Sequence, residues 1–284
     1  MKRNLISLGK RAIQGDYNTV LAAGELRIQD SRIKHLNVAG QVEAVKSFLG
    51  KVHCAGQFQA KEIQFTRLAV TGDSKLNGIC RGDTVAITGS VTADFMECRI
   101  LCNGTGNRNS KLRQNTNNDW QGVFHADTFE NCGELQMNFE YRADSIISHA
   151  GLRSLNELEC ENFYSFSDLV AEAVNADRIF LLTRASIHVG QLTGTSVIIK
   201  RDFKADKAYK GIPKTVAYKR QNRPNQMAYI RAIEADHVET EYTSAELISG
   251  DDIIIGDLCI IDRVEYRRSI AISEKAIVNE VVKV

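Results

Sequence analysis

The stretch that decides the fold runs from Leu36 to Gly72 and reads LNVAGQVEAVKSFLGKVHCAGQFQAKEIQFTRLAVTG. A glycine recurs in it at a constant interval, and the same interval continues outward on both sides. The six glycines are Gly24, Gly40, Gly56, Gly72, Gly89 and Gly104. Successive intervals are 16, 16, 16, 17 and 15 residues. A short unit is therefore repeated along this part of the chain.

Apolar residues alternate with mostly polar ones inside each unit. The residues four places before each glycine are all aliphatic: Val20, Leu36, Val52, Leu68, Val85 and Ile100. The residues two places before it are small or apolar: Ala22, Val38, Cys54, Val70, Ile87 and Cys102. Alternation of this kind places one set of side chains on one face of a β-strand.

The length of the unit selects among repeat architectures. Pairs of helices need repeats of about 33 residues or more, so 16 residues are too few for them. One coil of three short strands fits that length, with glycine, Asn and Asp at the corners. Each coil then buries its apolar face against the next, about 4.8 Å away. The sequence predicts an all-β fold, a single-stranded parallel β-helix with coils of about 16–17 residues.

Three segments of the chain resemble a known family. The rhythm of Val85–Glu97 is similar to the coil repeat of the bactofilins, polymer-forming bacterial cytoskeletal proteins of β-helical fold. The run Ala245–Gly256, followed by Ile261–Tyr266, resembles the C-terminal segment of Firmicute-type members, and Leu169–Ile179 fits a late coil of that group. The resemblance implies a right-handed coil and a filament former that works without a nucleotide cofactor. It also implies a scaffold for cell shape, motility or envelope machinery.

Composition agrees with such a protein. The formal net charge of +1 excludes a general polyanion binder. Only 2 prolines occur in 284 residues, as a fold rich in ladder hydrogen bonds requires. The 7 cysteines form no disulfide framework, and Cys54 and Cys102 are expected to be buried and reduced, which favours a cytoplasmic protein. No window is apolar for long enough to span a bilayer.

The pattern divides the chain into six segments. The predicted segments are a basic tail or cap (1–16), a regular β-helix (17–104), an Asn-rich loop (105–121), a less regular β-helix (122–200), a basic linker (201–231) and C-terminal coils (232–284). A weak membrane anchor is an alternative for the first segment. Trp120 is expected to pin the Asn-rich loop by packing rather than to contact a partner. A strand is favoured over a helix at 168–176.

The segment from Lys200 to Arg231 has the strongest charge. It contains ten basic and two acidic residues, which gives +8. Basic residues expected to make its contacts are Lys204, Lys207, Lys210, Lys214, Lys219, Arg220 and Arg223. The segment is either a solvated connector or an arm that holds an acidic neighbouring molecule or an anionic inner membrane. No nucleic acid is expected as a partner, because its tyrosines are too sparse to stack bases.

The ends of a β-helix suggest the function. Unpaired backbone groups at each end must be capped or must pair with another molecule. The sequence predicts end-to-end assembly through apolar residues of the first and last coils: Leu5, Ile6, Leu8, Ile272, Val278, Val281 and Val282. The expected partner is a further copy of this chain, with a second bactofilin-like protein as an alternative.

Catalysis is weighed as the alternative. A β-helical acyltransferase, a polysaccharide-active enzyme or a sugar-binding protein would have the same fold. His188 is the best catalytic candidate, but it is a lone histidine, and the strict six-residue repeat of the acyltransferases is missing. Asp251 and Asp252 are adjacent, so alternation points them to opposite faces. Cys98 and Cys102 have no second pair at metal-ligand spacing. The prediction is a structural protein that is not an enzyme, with no catalytic residues, cofactor or metal.

Overall fold

A computed structural model describes residues 3–104, 118–183, 185–201 and 226–284. These residues form β-strands and short connections, with no helix among them. Contacts divide the chain into two compact units, Met1–Ala143 and Asp144–Val284. Within each unit parallel strands stack as coils of a β-solenoid, which confirms the predicted fold class.

The strands follow one another with short corners between them. In chain order they are β1 (Arg3–Val45), β2 (Phe48–Lys61), β3 (Gln64–Thr88), β4 (Val91–Asn103), β5 (Trp120–Asn131), β6 (Leu135–Met137), β7 (Glu140–Ser148), β8 (Leu152–Ser165), β9 (Leu169–Leu182), β10 (Ile187–Lys200), β11 (Ala228–Thr240), β12 (Thr243–Ile255), β13 (Ile260–Ile272) and β14 (Ile277–Lys283). The segment 168–176 is strand, as expected, because it lies largely within β9. Most of the Asn-rich loop (105–117) and the seven predicted basic contacts lie outside the described residues.

The register in the first unit follows the repeat found in the sequence. Leu36 pairs with Val52 across β1 and β2, and Val52 pairs with Leu68 across β2 and β3. All three side chains are fully buried. Like residues therefore stack on like, and the apolar columns predicted from the alternation form the core.

The anchor glycines form a column of corners. Gly56 has a φ of +133°, and a methyl group on it would lie 2.1 Å from the carbonyl oxygen of Gly40. No side chain fits between backbones this close, so glycine is required. The column begins at Gly9, because a methyl group on Gly24 would lie 2.4 Å from the Gly9 carbonyl oxygen. Strand structure accordingly starts at Arg3, earlier than the predicted start at Tyr17.

Gly104 does not belong to this column. The alignment of the sixth sequence repeat, which took Gly104 as its anchor, is therefore wrong by one residue. Asn103 pairs with Ile87, and Cys102 pairs with Ala86. The interior position of this coil is therefore taken by Asn103, which is 0% exposed, rather than by Cys102. The interval of 15 residues before Gly104 marks this slip. Cys102 is buried, as expected, although it lies outside the interior column.

Large aromatic side chains fill the interior of the first unit beyond β4. Trp120 is fully buried, and its ring lies 5.3 Å from Phe124, 5.9 Å from Phe129 and 5.8 Å from Phe139. These distances are those of ordinary aromatic packing. Trp120 thus packs in the core as the first residue of β5, which confirms the packing interpretation.

Buried asparagines stack beside this cluster. The side-chain amide of Asn118 donates to Asn103 Oδ1 at 2.5 Å, and the amide of Asn103 donates to Asn131 Oδ1 at 2.7 Å. The backbone N–H of Gly89 donates to Asn118 Oδ1 at 2.9 Å. A ladder of this kind satisfies polar groups that a solenoid interior would otherwise leave without partners.

Candidate assembly site

The interior columns of the second unit lead to its last coil. One column runs through paired residues Leu158, Val174, Leu192, Ile233, Ile248, Val264 and Val281. Its members up to Val264 are at most 1% exposed, whereas Val281 in β14 is 45% exposed. Val281 points inward like the rest of its column, because its register partner Val264 does. It is exposed because no further described strand lies over β14.

Two further columns end in the same way. Ile230, Ala245 and Ile261 are buried, and the next residue in their column, Val278, is half-buried. Ile255 is 1% exposed, whereas its partner Ile272 is 41% exposed. The structure thus brings together three of the residues predicted for assembly: Ile272, Val278 and Val281. Val282 pairs with Glu265 and has the opposite parity, so it points away from this set.

Backbone groups accompany these side chains. In the described part of the chain, β14 pairs with β13 and with no other strand. Alternate residues of a parallel strand present their N–H and C=O groups to the strand on one side, and the residues between them present theirs to the other side. The second edge of β14 therefore offers both apolar side chains and hydrogen-bonding groups to a further strand.

Several charged residues of the last coils are paired with one another. Lys275 donates to Asp257 at 2.8 Å, and this hydrogen bond holds the pKa of the Asp257 carboxyl below its ordinary value. Arg267 and Arg268 donate to Asp251 and Asp252 at 2.8 and 2.6 Å. The two aspartates thus form ion pairs with arginines of the next coil.

The N-terminal residues predicted for assembly separate into two faces. Leu5 lies four places before Gly9, the interior position of the repeat, and is half-buried. Ile6 and Leu8 have the outward parity and are 74% and 83% exposed. They line a shallow groove of about 670 Å³ together with Leu21. The structure therefore assigns Leu5 alone to the interior column and places Ile6 and Leu8 on an outer apolar surface.

The sequence contained a signal for this groove. Outward positions of a strand are normally polar, yet the positions just before successive glycines are Ala23, Ala39 and Ala55. All three alanines line the groove, and so does Cys54. Burial raises the pKa of the Cys54 thiol to about 11.

His188, the best catalytic candidate, takes part in a contact between coils. It is paired in register with Tyr229, and the two rings stack at 5.2 Å with an angle of 9°. Both side chains are exposed. This stacking is the cross-strand packing expected of like-sized rings on adjacent coils.

Comparison with known proteins adds no relative. No protein-family model, curated protein or solved structure matches this chain. Within the described ranges, no helix has the length and apolarity needed to cross a membrane.

Proposed function

We propose that this chain is a structural protein that assembles end to end into nucleotide-independent filaments or sheets. The observation that carries the proposal is the ending of three interior columns at the last coil: at Val278 and Val281 on β14, which has one described partner, and at Ile272 in the part of β13 beyond its pairing with β14. Pairing β14 with a coil of another copy continues both the columns and the backbone ladder.

The energetics favour such pairing. Complete burial of a Val or Ile side chain stabilises by about 1.5–3 kcal/mol. Val281 and Ile272 still expose 45% and 41% of their surface, so each has somewhat less than half of its burial left to gain. The first coil supplies a matching edge with Leu5 in its interior column, and the shared spacing of the coils makes the two edges compatible.

In this proposal the protein is a cytoskeletal scaffold for cell shape, motility or envelope-associated machinery. Its partners are further copies of itself and a second bactofilin-like chain, and it needs no cofactor. None of the seven cysteines is in a disulfide, which supports a reducing, cytoplasmic environment. The resemblance of the sequence to bactofilins supports the same conclusion.

A charge at the last coil tests the proposal. Val281→Glu places a carboxylate where the next coil would bury it, so we expect monomers instead of polymers in size-exclusion chromatography and negative-stain electron microscopy. The matched control is Leu155→Glu, which adds the same charge at a side chain that is already 79% exposed in β8, and it should still polymerise.

Ordered polymers of Val281→Glu would contradict end-to-end assembly. A discrete monomer or trimer of the unaltered protein would favour the alternative of a β-helical enzyme or sugar-binding protein.

A further inference from the structure

The strand register brings three metal-ligating side chains together in the first unit. β4 and β5 pair in parallel, with Cys102 opposite Glu130. Cys132 follows Glu130 by two residues, and the backbone pairing continues to it, because its N–H donates to the Asn103 carbonyl at 2.8 Å. Residues two apart on an extended chain share a face. Adjacent coils thus place two thiols and a carboxyl side by side.

The spacing of these groups is that of a metal site. Their ligand atoms all lie within 4.8 Å of one another. The Sγ atoms of Cys102 and Cys132 are 3.7 Å apart. Two thiolates bound to a tetrahedral zinc ion at about 2.3 Å have their sulfur atoms about 3.8 Å from each other. A disulfide would require about 2.05 Å.

We propose that Cys102, Glu130 and Cys132 bind one Zn²⁺ ion, with water as the fourth ligand. Thiolate ligands select zinc over Mg²⁺ and Ca²⁺, which prefer oxygen. On binding, each thiol releases one proton to solvent, and no electron is transferred. The two thiolates and the carboxylate supply three negative charges to the dication.

Burial suits an ion that enters from solvent. Cys102 is 3% exposed, whereas Glu130 and Cys132 are half-buried. The zinc ion would join the C-terminal end of β4 to the end of β5 and the residue after it, and so connect two adjacent coils. The site is separate from the residues proposed for assembly and does not depend on that function.

A titration with Co²⁺ and Zn²⁺ tests the site. The full chain, reduced and freed of metal with a chelator, should bind one equivalent of Co²⁺, with the near-ultraviolet charge-transfer absorption of cobalt–thiolate bonds. Zn²⁺ should displace the cobalt and Mg²⁺ should not. Cys102→Ser and Cys132→Ser should abolish the absorption of the lost thiolate, and Glu130→Gln should weaken binding by roughly 10- to 100-fold. Because only the folded chain holds the site, zinc should also raise the melting temperature.

Cys160→Ser is the matched control, since Cys160 is half-buried and outside any disulfide, as Cys132 is, but lies in the second unit. It should bind cobalt as the unaltered chain does. Circular dichroism establishes whether each variant is folded. If a cysteine variant does not fold, the proposal is still tested by the spectrum of the unaltered chain and by the affinity of Glu130→Gln. The proposal is overturned by the absence of cobalt–thiolate absorption in the unaltered chain. It is equally overturned by undiminished binding in the Cys102→Ser/Cys132→Ser double variant, or by a Cys102–Cys132 disulfide that leaves no metal bound.

Discussion

Gly56 has a φ of +133° and lies directly against the carbonyl of Gly40 in the neighbouring coil. Gly56→Ala therefore adds both backbone strain and a steric clash, and we expect it to lower the free energy of unfolding by about 2–5 kcal/mol. Gly15→Ala is the matched control: φ is +103°, but no atom lies within 4 Å of the added methyl. It should cost about 1–2 kcal/mol.

Urea denaturation of both variants measures the difference. Equal losses would show that strain at positive φ, rather than close approach of the coils, explains the glycine column.

Cys98 couples stability to pH. Burial, together with the nearby carboxylates of Asp127, Asp83 and Glu97, raises the pKa of its thiol from 9.0 to about 12. The folded state therefore holds this proton more tightly than the unfolded state does. The contribution of this proton to the free energy of unfolding is fully present below pH 9. Above pH 9 that contribution decreases by about 1.4 kcal/mol per pH unit, until the pKa of Cys98 in the folded state is reached.

Cys98→Val removes this dependence while keeping a small apolar side chain. The difference in the free energy of unfolding between the unaltered protein and the variant should shift in favour of the variant from pH 9 to pH 11, as measured by denaturant titration. A difference that stays constant with pH would contradict the assigned pKa shift.

At the scale of elements, the asparagine ladder stabilises the first unit where its repeat changes. Asn103→Ala removes hydrogen bonds to Asn131 Oδ1 at 2.7 Å and to the Gly133 carbonyl at 3.1 Å, and the bond that it accepts from Asn118 at 2.5 Å. At about 0.5–1.5 kcal/mol each, we expect a loss of about 2–4 kcal/mol in the free energy of unfolding. Asn37→Ala, on the exposed outer face of β1, should change it by less than about 0.5 kcal/mol.

Thermal or chemical denaturation compares the two variants. A loss for Asn103→Ala no larger than for Asn37→Ala would show that the ladder adds no stability.

Coils with an unbroken repeat were predictable from sequence, and those next to an insertion were not. The columns through Val52 and Ile248 follow from alternation at a constant period. The position predicted for the repeat at Gly104 was wrong by one residue, because the sequence around this glycine has the same alternation as the sequence around the other anchor glycines. Cys132 was missed because its nearness to Cys102 depends on a register that resumes 30 residues later. Val281 was predicted for assembly from the sequence, but only the structure shows that it continues an interior column.

At the scale of the whole molecule, stability in a solenoid is a sum over neighbouring coils, so it should fall toward a terminal coil. Among the described strands, β11 has a partner on each side and β14 has one. In dilute protein, backbone amides of β14 should exchange with deuterium faster than those of β11.

The same measurement tests assembly. At concentrations where polymers form, peptides covering β14 should gain protection while those covering β11 stay unchanged. Exchange in β14 that is independent of protein concentration would contradict pairing at this edge.

The constant register between β1, β2 and β3 has a consequence for how such a molecule can change. Residues 41–45 pair in register with 57–61, and residues 48–56 run in register with 64–72, glycine on glycine and glutamine beside glutamine, with the Gln41 amide donating to Gln57 Oε1 at 2.9 Å. A tandem copy of the sixteen codons for residues 41–56, inserted after Gly56, would present the same surfaces above and below. Each duplication would lengthen the first unit by one rung of about 4.8 Å. Duplication of this segment can thus lengthen the unit in steps of one coil, and the new interface is that between residues 41–56 and their own copy.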